Sequence, residues 1–194
     1  ITVPNEGGYV NKNPFQTSGT AFDLHGVSNV WANGVEASLI DMGDGLYMWG
    51  CAVVFPAQGL NEISVTAMDK VGNISGPAKV AVVYDNVPPS VSFDEPPNYA
   101  NKTSIKLKGK FGDEYGMNYI EVNGARAALN FADNTFEITV PIAEGSNFFV
   151  AEAVDMAGNS KSTDPVEIIG DFANPVLVLL SDEFVSKSPY DWVI

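Results

Sequence analysis

The chain has very few of the cysteine and histidine residues that commonly form metal and redox sites. Among its 194 residues there is one cysteine, Cys51, and one histidine, His25. A single cysteine excludes an intrachain disulfide and a paired-thiolate site, and a single histidine excludes a two-histidine metal site. We expect Cys51 to be a small buried apolar residue in a strand, and His25 to be a loop residue without a role.

Positive charge is also scarce, with 10 Lys and Arg against 24 Asp and Glu, which gives a formal net charge of −14. A field of this sign repels phosphate backbones and anionic headgroups, so neither nucleic acid nor a membrane surface is an expected partner. No apolar run approaches the roughly 20 residues that span a bilayer, and no membrane insertion is expected. The first residues, ITVPNEGG, lack the basic and apolar parts of a signal peptide.

An internal repeat organises the sequence. NEISVTAMDKVGN, which ends at Asn73, aligns with NFFVAEAVDMAGN, which ends at Asn159, at an offset of 159 − 73 = 86. Earlier in each unit the offset is 90, as between Asn33 and Asn123 (123 − 33). The first copy therefore has four extra residues (90 − 86), which we place between Gly34 and Gly59, most simply in the segment 48–59.

The repeat predicts the domain organisation. We expect one module over 1–87, a second over 88–173, and the truncated beginning of a third over 174–194, because FVSKSP at 184–189 echoes YVNKNP at 9–14. In an alternative interpretation, the trailing segment adds a strand to a neighbouring module.

Short runs with a period of two, separated by turn residues, indicate β-strands throughout. Ile105 and Leu107 alternate with lysines, and Asn-Gly pairs at 33–34 and 123–124 are typical of two-residue hairpin loops. No segment has a capped helical period. The prediction is an all-β fold of tandem immunoglobulin-like β-sandwich modules, with about seven antiparallel strands each.

Several segments recur in both copies: AMDKVGN with AVDMAGN, AQGLN with AEGSN, the VNG and ANG tips, and the DNVPP linker at 85–89. In these segments the chain resembles the bacterial immunoglobulin-like (Big-type) tandem repeats of extracellular surface or secreted proteins. The resemblance implies the architecture, an extracellular, cell-surface or secreted location, and neighbouring Ig-like modules of the same chain as partners. It carries little information about function, because such modules act mostly as spacers and binding platforms.

Three functions are compatible with this interpretation. The first is a non-catalytic structural spacer. The second is a carbohydrate- or protein-binding adhesin module that uses the distinct surface of the first copy. The third is an accessory region of a secreted hydrolase, or of a phage or filament assembly protein. No catalytic residue is predicted, since paired acids such as Asp41 and Asp44 are ordinary turn chemistry.

Four aspartates are candidate calcium ligands, because calcium prefers carboxylate and carbonyl oxygens. Asp69 and Asp155 begin the two D-x-x-G-N turns, and Asp85 and Asp171 lie in the two linkers. At the junction, the linker acids have the adjacent pair at 94–95 as candidate co-ligands. The alternative is structural, since an aspartate at the start of such a turn accepts hydrogen bonds from the following backbone.

Trp31 is the candidate ligand contact. Its counterpart in the second copy is Glu121 (121 − 31 = 90), so alternation along the strand predicts that Trp31 faces outward. An outward tryptophan stacks on a sugar or anchors a protein, or alternatively packs against a neighbouring module. Tyr47 and Trp49, aligned with Phe136 and Ile138, are predicted core residues.

Overall fold

The computed structural model describes residues 1–178, and within that range every regular element is a β-strand. The all-β fold class and the sandwich architecture are confirmed. No helix in this part of the chain is long and apolar enough to cross a membrane. Residues 179–194, which carry most of the predicted third copy, lie outside the described residues.

The first repeat forms two sheets that face each other. Its strands are β1 (Gly8–Val10), β2 (Phe15–Phe22), β3 (Val27–Ala32), β4 (Val35–Glu36), β5 (Ser38–Gly43), β6 (Leu46–Val53), β7 (Gly59–Asp69) and β8 (Ala78–Tyr84). One sheet has the order β1-β8-β7-β3-β4 and the other the order β2-β6-β5.

The second repeat has the same plan in shorter pieces. Its strands are β9 (Ser90–Phe93), β10 (Tyr99–Ala100), β11 (Ser104–Gly112), β12 (Met117–Val122), β13 (Ala125–Arg126), β14 (Ala128–Asn130), β15 (Thr135–Pro141), β16 (Gly145–Phe149), β17 (Ala151–Asp155), β18 (Ser160–Ser162) and β19 (Val166–Gly170). Their sheets have the orders β10-β19-β16, β13-β12-β17-β18 and β14-β15-β11-β9. A break at Val150 divides into β16 and β17 what is one strand, β7, in the first copy.

One pairing in each repeat differs from the predicted antiparallel arrangement. Strand β1 pairs with β8 in parallel, and β10 pairs with β19 in parallel. The cause is topological: β1 and β10 each lie beside the last strand of their module, and each pair is joined through the strands between them instead of by a hairpin.

Each repeat has its own hydrophobic core. The larger buried side chains of the first core include Trp49, Phe55 and Ile63, and those of the second include Leu107 and Phe136. Trp49 and Tyr47 are buried, which confirms them as core residues. No buried residue belongs to both clusters, but the module boundaries at 87 and 173 remain predictions.

The strand register moves most of the four-residue insertion away from its predicted place. Gly19 pairs with Trp49, whereas its counterpart Gly109 pairs with Phe136. Trp49 therefore corresponds to Phe136 and not to Ile138, and the offset is already 136 − 49 = 87 at this point. Three extra residues lie in the β5–β6 hairpin tip, and the fourth lies between Phe55 and Gly59. The sequence alignment missed this because a hairpin tip can lengthen without changing the strand pattern on either side.

Candidate cation site between the two repeats

The D-x-x-G-N turns are held by their aspartates in the same way in both repeats. Asp155 Oδ1 accepts a hydrogen bond from the N–H of Asn159, and its Oδ2 accepts one from Asn159 Nδ2, both at 2.8 Å. Asp69 accepts the equivalent bonds from Asn73, and one more from the N–H of Val71. These aspartates therefore have the structural role considered above: each accepts hydrogen bonds from the backbone of its own turn.

Hydrogen bonding lowers the pKa of Asp69, the aspartate of the first of these two turns. Burial raises the pKa of Asp69, but the hydrogen bonds from the Asn73 side chain and backbone, together with those from Val71 and Gly72, outweigh it and lower the pKa below its ordinary value. The carboxylate form of Asp69 is thus the form that the turn stabilises.

Asp85 begins the linker and is almost completely buried, with 1% of its surface exposed. Its N–H donates to the carbonyl of Val10 at 2.9 Å, and its Oδ1 accepts from the N–H of Val87 at 3.0 Å. Its Oδ2 has no hydrogen-bond partner among residues 1–178. A buried carboxylate oxygen without a partner is energetically unfavourable and therefore needs an explanation.

Two further acids from the second repeat meet Asp85 at the junction. Asp113 lies in the loop between β11 and β12, and Asp155 ends β17. One carboxylate oxygen of each of these three residues lies within 4.8 Å of the others. We refer to Asp85, Asp113 and Asp155 as the junction carboxylates.

The negative charges of the junction carboxylates are not paired with positive charges among residues 1–178. Burial raises the pKa of Asp85, and the nearby Asp113, Asp155 and Glu114 raise it further, while the hydrogen bond from Val87 opposes the rise. Within residues 1–178, no lysine or arginine forms an ion pair with any of the three. The site therefore concentrates negative charge without a protein cation to balance it.

Neighbouring contacts fix the two repeats around this cluster. Asn159 Nδ2, which holds the turn of Asp155, also donates to the carbonyl of Asp85 at 2.9 Å. The ring of Tyr115 lies over Gly59, so closely that a Cβ at Gly59 would be 3.2 Å from it. Gly59 has a φ of +90°, which also favours glycine at this position.

The same turns in the first repeat lack a third acid. Asp23 and Asp69 are the counterparts of Asp113 and Asp155 (113 − 23 = 90, 155 − 69 = 86), but within residues 1–178 no third carboxylate joins them. A lysine, Lys70, lies over Gly26 there.

In the second repeat the position of Lys70 is taken by Met156, which lies over Gly116 (156 − 70 = 86, 116 − 26 = 90). The lysine is thus absent from the copy whose acids form the junction.

Of the four predicted calcium ligands, Asp85 and Asp155 lie together, whereas Asp69 and Asp171 lie elsewhere. Asp171 donates its N–H to the carbonyl of Ala100, as Asp85 does to Val10, but its side chain is exposed. The pair at 94–95 is exposed beside β11 and is not part of the cluster. Asp113 was not predicted as a ligand, although its recurrence as Asp23 in the first copy was visible in the sequence.

The remaining candidates occupy ordinary positions. Val30 and Ala32 are fully buried and face the core, whereas Trp31 lies between them in β3 and is half-buried. Trp31 is therefore on the outer face of the strand, and its outward orientation is confirmed. Cys51 is half-buried against the first core, and burial raises its pKa. His25 is an exposed loop residue whose N–H donates to Asp23. Asp41 accepts from the N–H of Gly43 within its own turn.

No model of a known protein family matches the chain. Bacillopeptidase F of Bacillus subtilis (strain 168) is 27% identical over 180 residues, which cover 91% of this chain and 12% of that protein. This chain is therefore similar to about an eighth of the length of that relative. Among solved structures, the fibronectin(III)-like modules of Clostridium thermocellum CbhA match with a TM-score of 0.53 at 17% identity, over 91% of this chain and 97% of theirs. At that identity the likeness shows the fold alone, and the fold is that of immunoglobulin-like and fibronectin III-like modules.

Proposed function

We propose that the chain is a non-catalytic spacer segment in which bacterial immunoglobulin-like modules follow one another in series. It holds another part of a larger surface or secreted protein away from its attachment point. Among residues 1–178, we assign no nucleophile–base pair and no cofactor pocket to catalysis. The similarity to a segment of bacillopeptidase F supports an accessory region of a hydrolase as the context.

The main support for this proposal is the set of contacts that join the two modules at the linker. A short linker normally leaves two modules free to move, because few contacts cross it. Here Asp85 is buried, Asn159 hydrogen-bonds to its carbonyl, and Tyr115 packs on Gly59. These contacts restrict the angle between the modules, which is what a spacer of fixed length requires.

Small-angle X-ray scattering tests the spacer. Strand β7, with 11 residues, is about 36 Å long at roughly 3.3 Å per residue. Two such modules end to end have a radius of gyration of about 22 Å, against about 16 Å for one compact body of this length. We expect the larger value and a two-lobed distance distribution. A compact, single-lobed profile would contradict the proposal.

An insertion variant distinguishes a rigid junction from a flexible junction that is extended on average. Inserting about six Gly and Ser residues between Asn86 and Val87 adds a flexible linker without altering either core. We expect its distance distribution to be broader than that of the unmodified chain. Indistinguishable curves would show that the native junction is already flexible.

A second candidate function is a binding role for the first repeat. Four exposed side chains, Phe22, Ile40, Leu46 and Met48, lie together on the outer face of β2, β6 and β5. The equivalent face of the second repeat is polar: Asn130 and Thr135 replace Ile40 and Met48 at the same register positions. Exposed apolar patches of this kind are typical of protein–protein interaction sites.

The partner proposed for this apolar face is a second copy of the chain. Strand β5 ends its sheet, so one side of its backbone is open for pairing with another strand. Sedimentation equilibrium is expected to show dimerisation with rising concentration. The double variant Ile40→Asn and Met48→Thr, which copies the second repeat, is expected to stay monomeric. A wild-type chain that stays monomeric, or a variant that dimerises equally, would count against this role.

A further inference from the structure

We propose that Asp85, Asp113 and Asp155 together bind one calcium ion, which joins the first repeat to the second. Asp85 comes from the linker that ends the first repeat, Asp113 from a loop of the second repeat, and Asp155 from the end of strand β17. Binding depends on the junction residues alone, whichever protein contains the array.

The buried side chain of Asp85 points to a bound ligand. Its Oδ2 is buried and has no hydrogen-bond partner within residues 1–178. One of its carboxylate oxygens lies within 4.8 Å of a carboxylate oxygen of Asp113 and of one of Asp155. A buried carboxylate stays charged only when it is paired or coordinates a metal, and among residues 1–178 no lysine or arginine forms an ion pair with Asp85.

Oxygen chemistry and spacing favour calcium. All three side chains supply carboxylate oxygens, and neither Cys51 nor His25 belongs to the cluster. Calcium binds oxygen at about 2.3–2.6 Å with variable geometry, so ligands on opposite sides of one ion lie up to about 5 Å apart. The observed limit of 4.8 Å fits this span. Zinc is disfavoured because its sites rely on cysteine and histidine.

The contacts around the cluster already arrange the ligands. Asp113 Oδ1 accepts from the N–H groups of Tyr115 and Gly116, and the Asp155 carboxylate is held by Asn159. Because these hydrogen bonds hold the carboxylates in place, little side-chain ordering is required for binding. An ion shared by both repeats then strengthens the same junction that Asn159 bridges.

Thermal unfolding of the chain, freed of metal with a chelator, tests the proposal. Extracellular modules bind calcium with dissociation constants of about 0.1–1 mM, so about 10 mM CaCl2 is expected to raise the melting temperature by on the order of 10 °C. A matched sample in about 30 mM NaCl, which has the same ionic strength, is expected to show no such shift. Isothermal titration is expected to show one binding site.

Substitutions identify the ligands. We expect Asp85→Asn to abolish the calcium shift and, without calcium, to melt no lower than the wild type, since it removes a buried charge surrounded by acids. Asp155→Asn is expected to abolish the shift as well. Asp69→Asn makes the same change in the equivalent turn of the first repeat, where no third acid joins the turn among residues 1–178, and it is expected to keep the full shift. Absence of both shift and heat in the wild type, or an undiminished shift in Asp85→Asn, would overturn the proposal.

Discussion

Gly109→Ala is expected to destabilise the second sandwich by about 3 kcal/mol, which lowers its melting temperature by about 15 °C. A Cβ at this position would lie 2.2 Å from the carbonyl oxygen of Ser92 and 2.4 Å from the ring of Phe136. The carbonyl belongs to the paired strand β9 and cannot rotate away, and Phe136 is a buried core residue. The added methyl group therefore forces the strands apart.

Gly50→Ala is the control for this substitution. It also lies within a strand, but its Cβ would be 3.6 Å from the nearest atom, the carbonyl oxygen of Thr17, which is ordinary contact. We expect its melting temperature to stay within a few degrees of the wild type. Differential scanning calorimetry measures both variants, and equal small effects would show that β9 and Phe136 move aside readily.

Trp49→Ala is expected to destabilise the first sandwich by about 3–5 kcal/mol, the cost of a cavity left by a large aromatic side chain. Trp49 is 4% exposed and lies across from Gly19, where the absence of a Cβ makes room for its ring. Trp31→Ala is the matched control, because Trp31 lies half-buried on the outer face of β3. We expect it to change stability by less than about 1 kcal/mol.

The Gly109 and Trp49 variants together also test the predicted boundary after residue 87. If the repeats are separate modules, calorimetry resolves two transitions, and each variant lowers only the transition of its own repeat. A single transition that both variants lower equally would show that the two cores unfold as one unit.

The features predicted correctly from sequence depend on neighbours close in the chain. Asn33-Gly34 and Asn123-Gly124 form two-residue hairpin tips, with φ near +50° at each asparagine and +80° at each glycine. Alternation placed Ile105 and Leu107 toward the core and Trp31 outward. Turn chemistry and strand period are local properties, so they can be read from a single sequence.

Other features depended on pairing between distant segments. The extra residues of the first copy were placed near Cys51, but the pairing of Gly19 with Trp49 puts three of them in the β5–β6 tip. The apolar face of the first repeat lies on the strands that lead into this longer tip, and in the second repeat Asn130 and Thr135 take the places of Ile40 and Met48. A one-dimensional alignment cannot distinguish these placements, because the register is fixed by hydrogen bonds between strands.

The sequence by itself determined the repeat, the all-β fold and the acidic character of the turns and linkers. Only the tertiary structure decided which acids meet. Asp85 and Asp171 end their repeats alike, but Asp85 is buried beside Asp113 and Asp155, whereas Asp171 is exposed. The physical reason is that burial and charge repulsion are properties of the packed junction: Asp113 and Asp155 reach Asp85 only after both repeats have folded and come into contact.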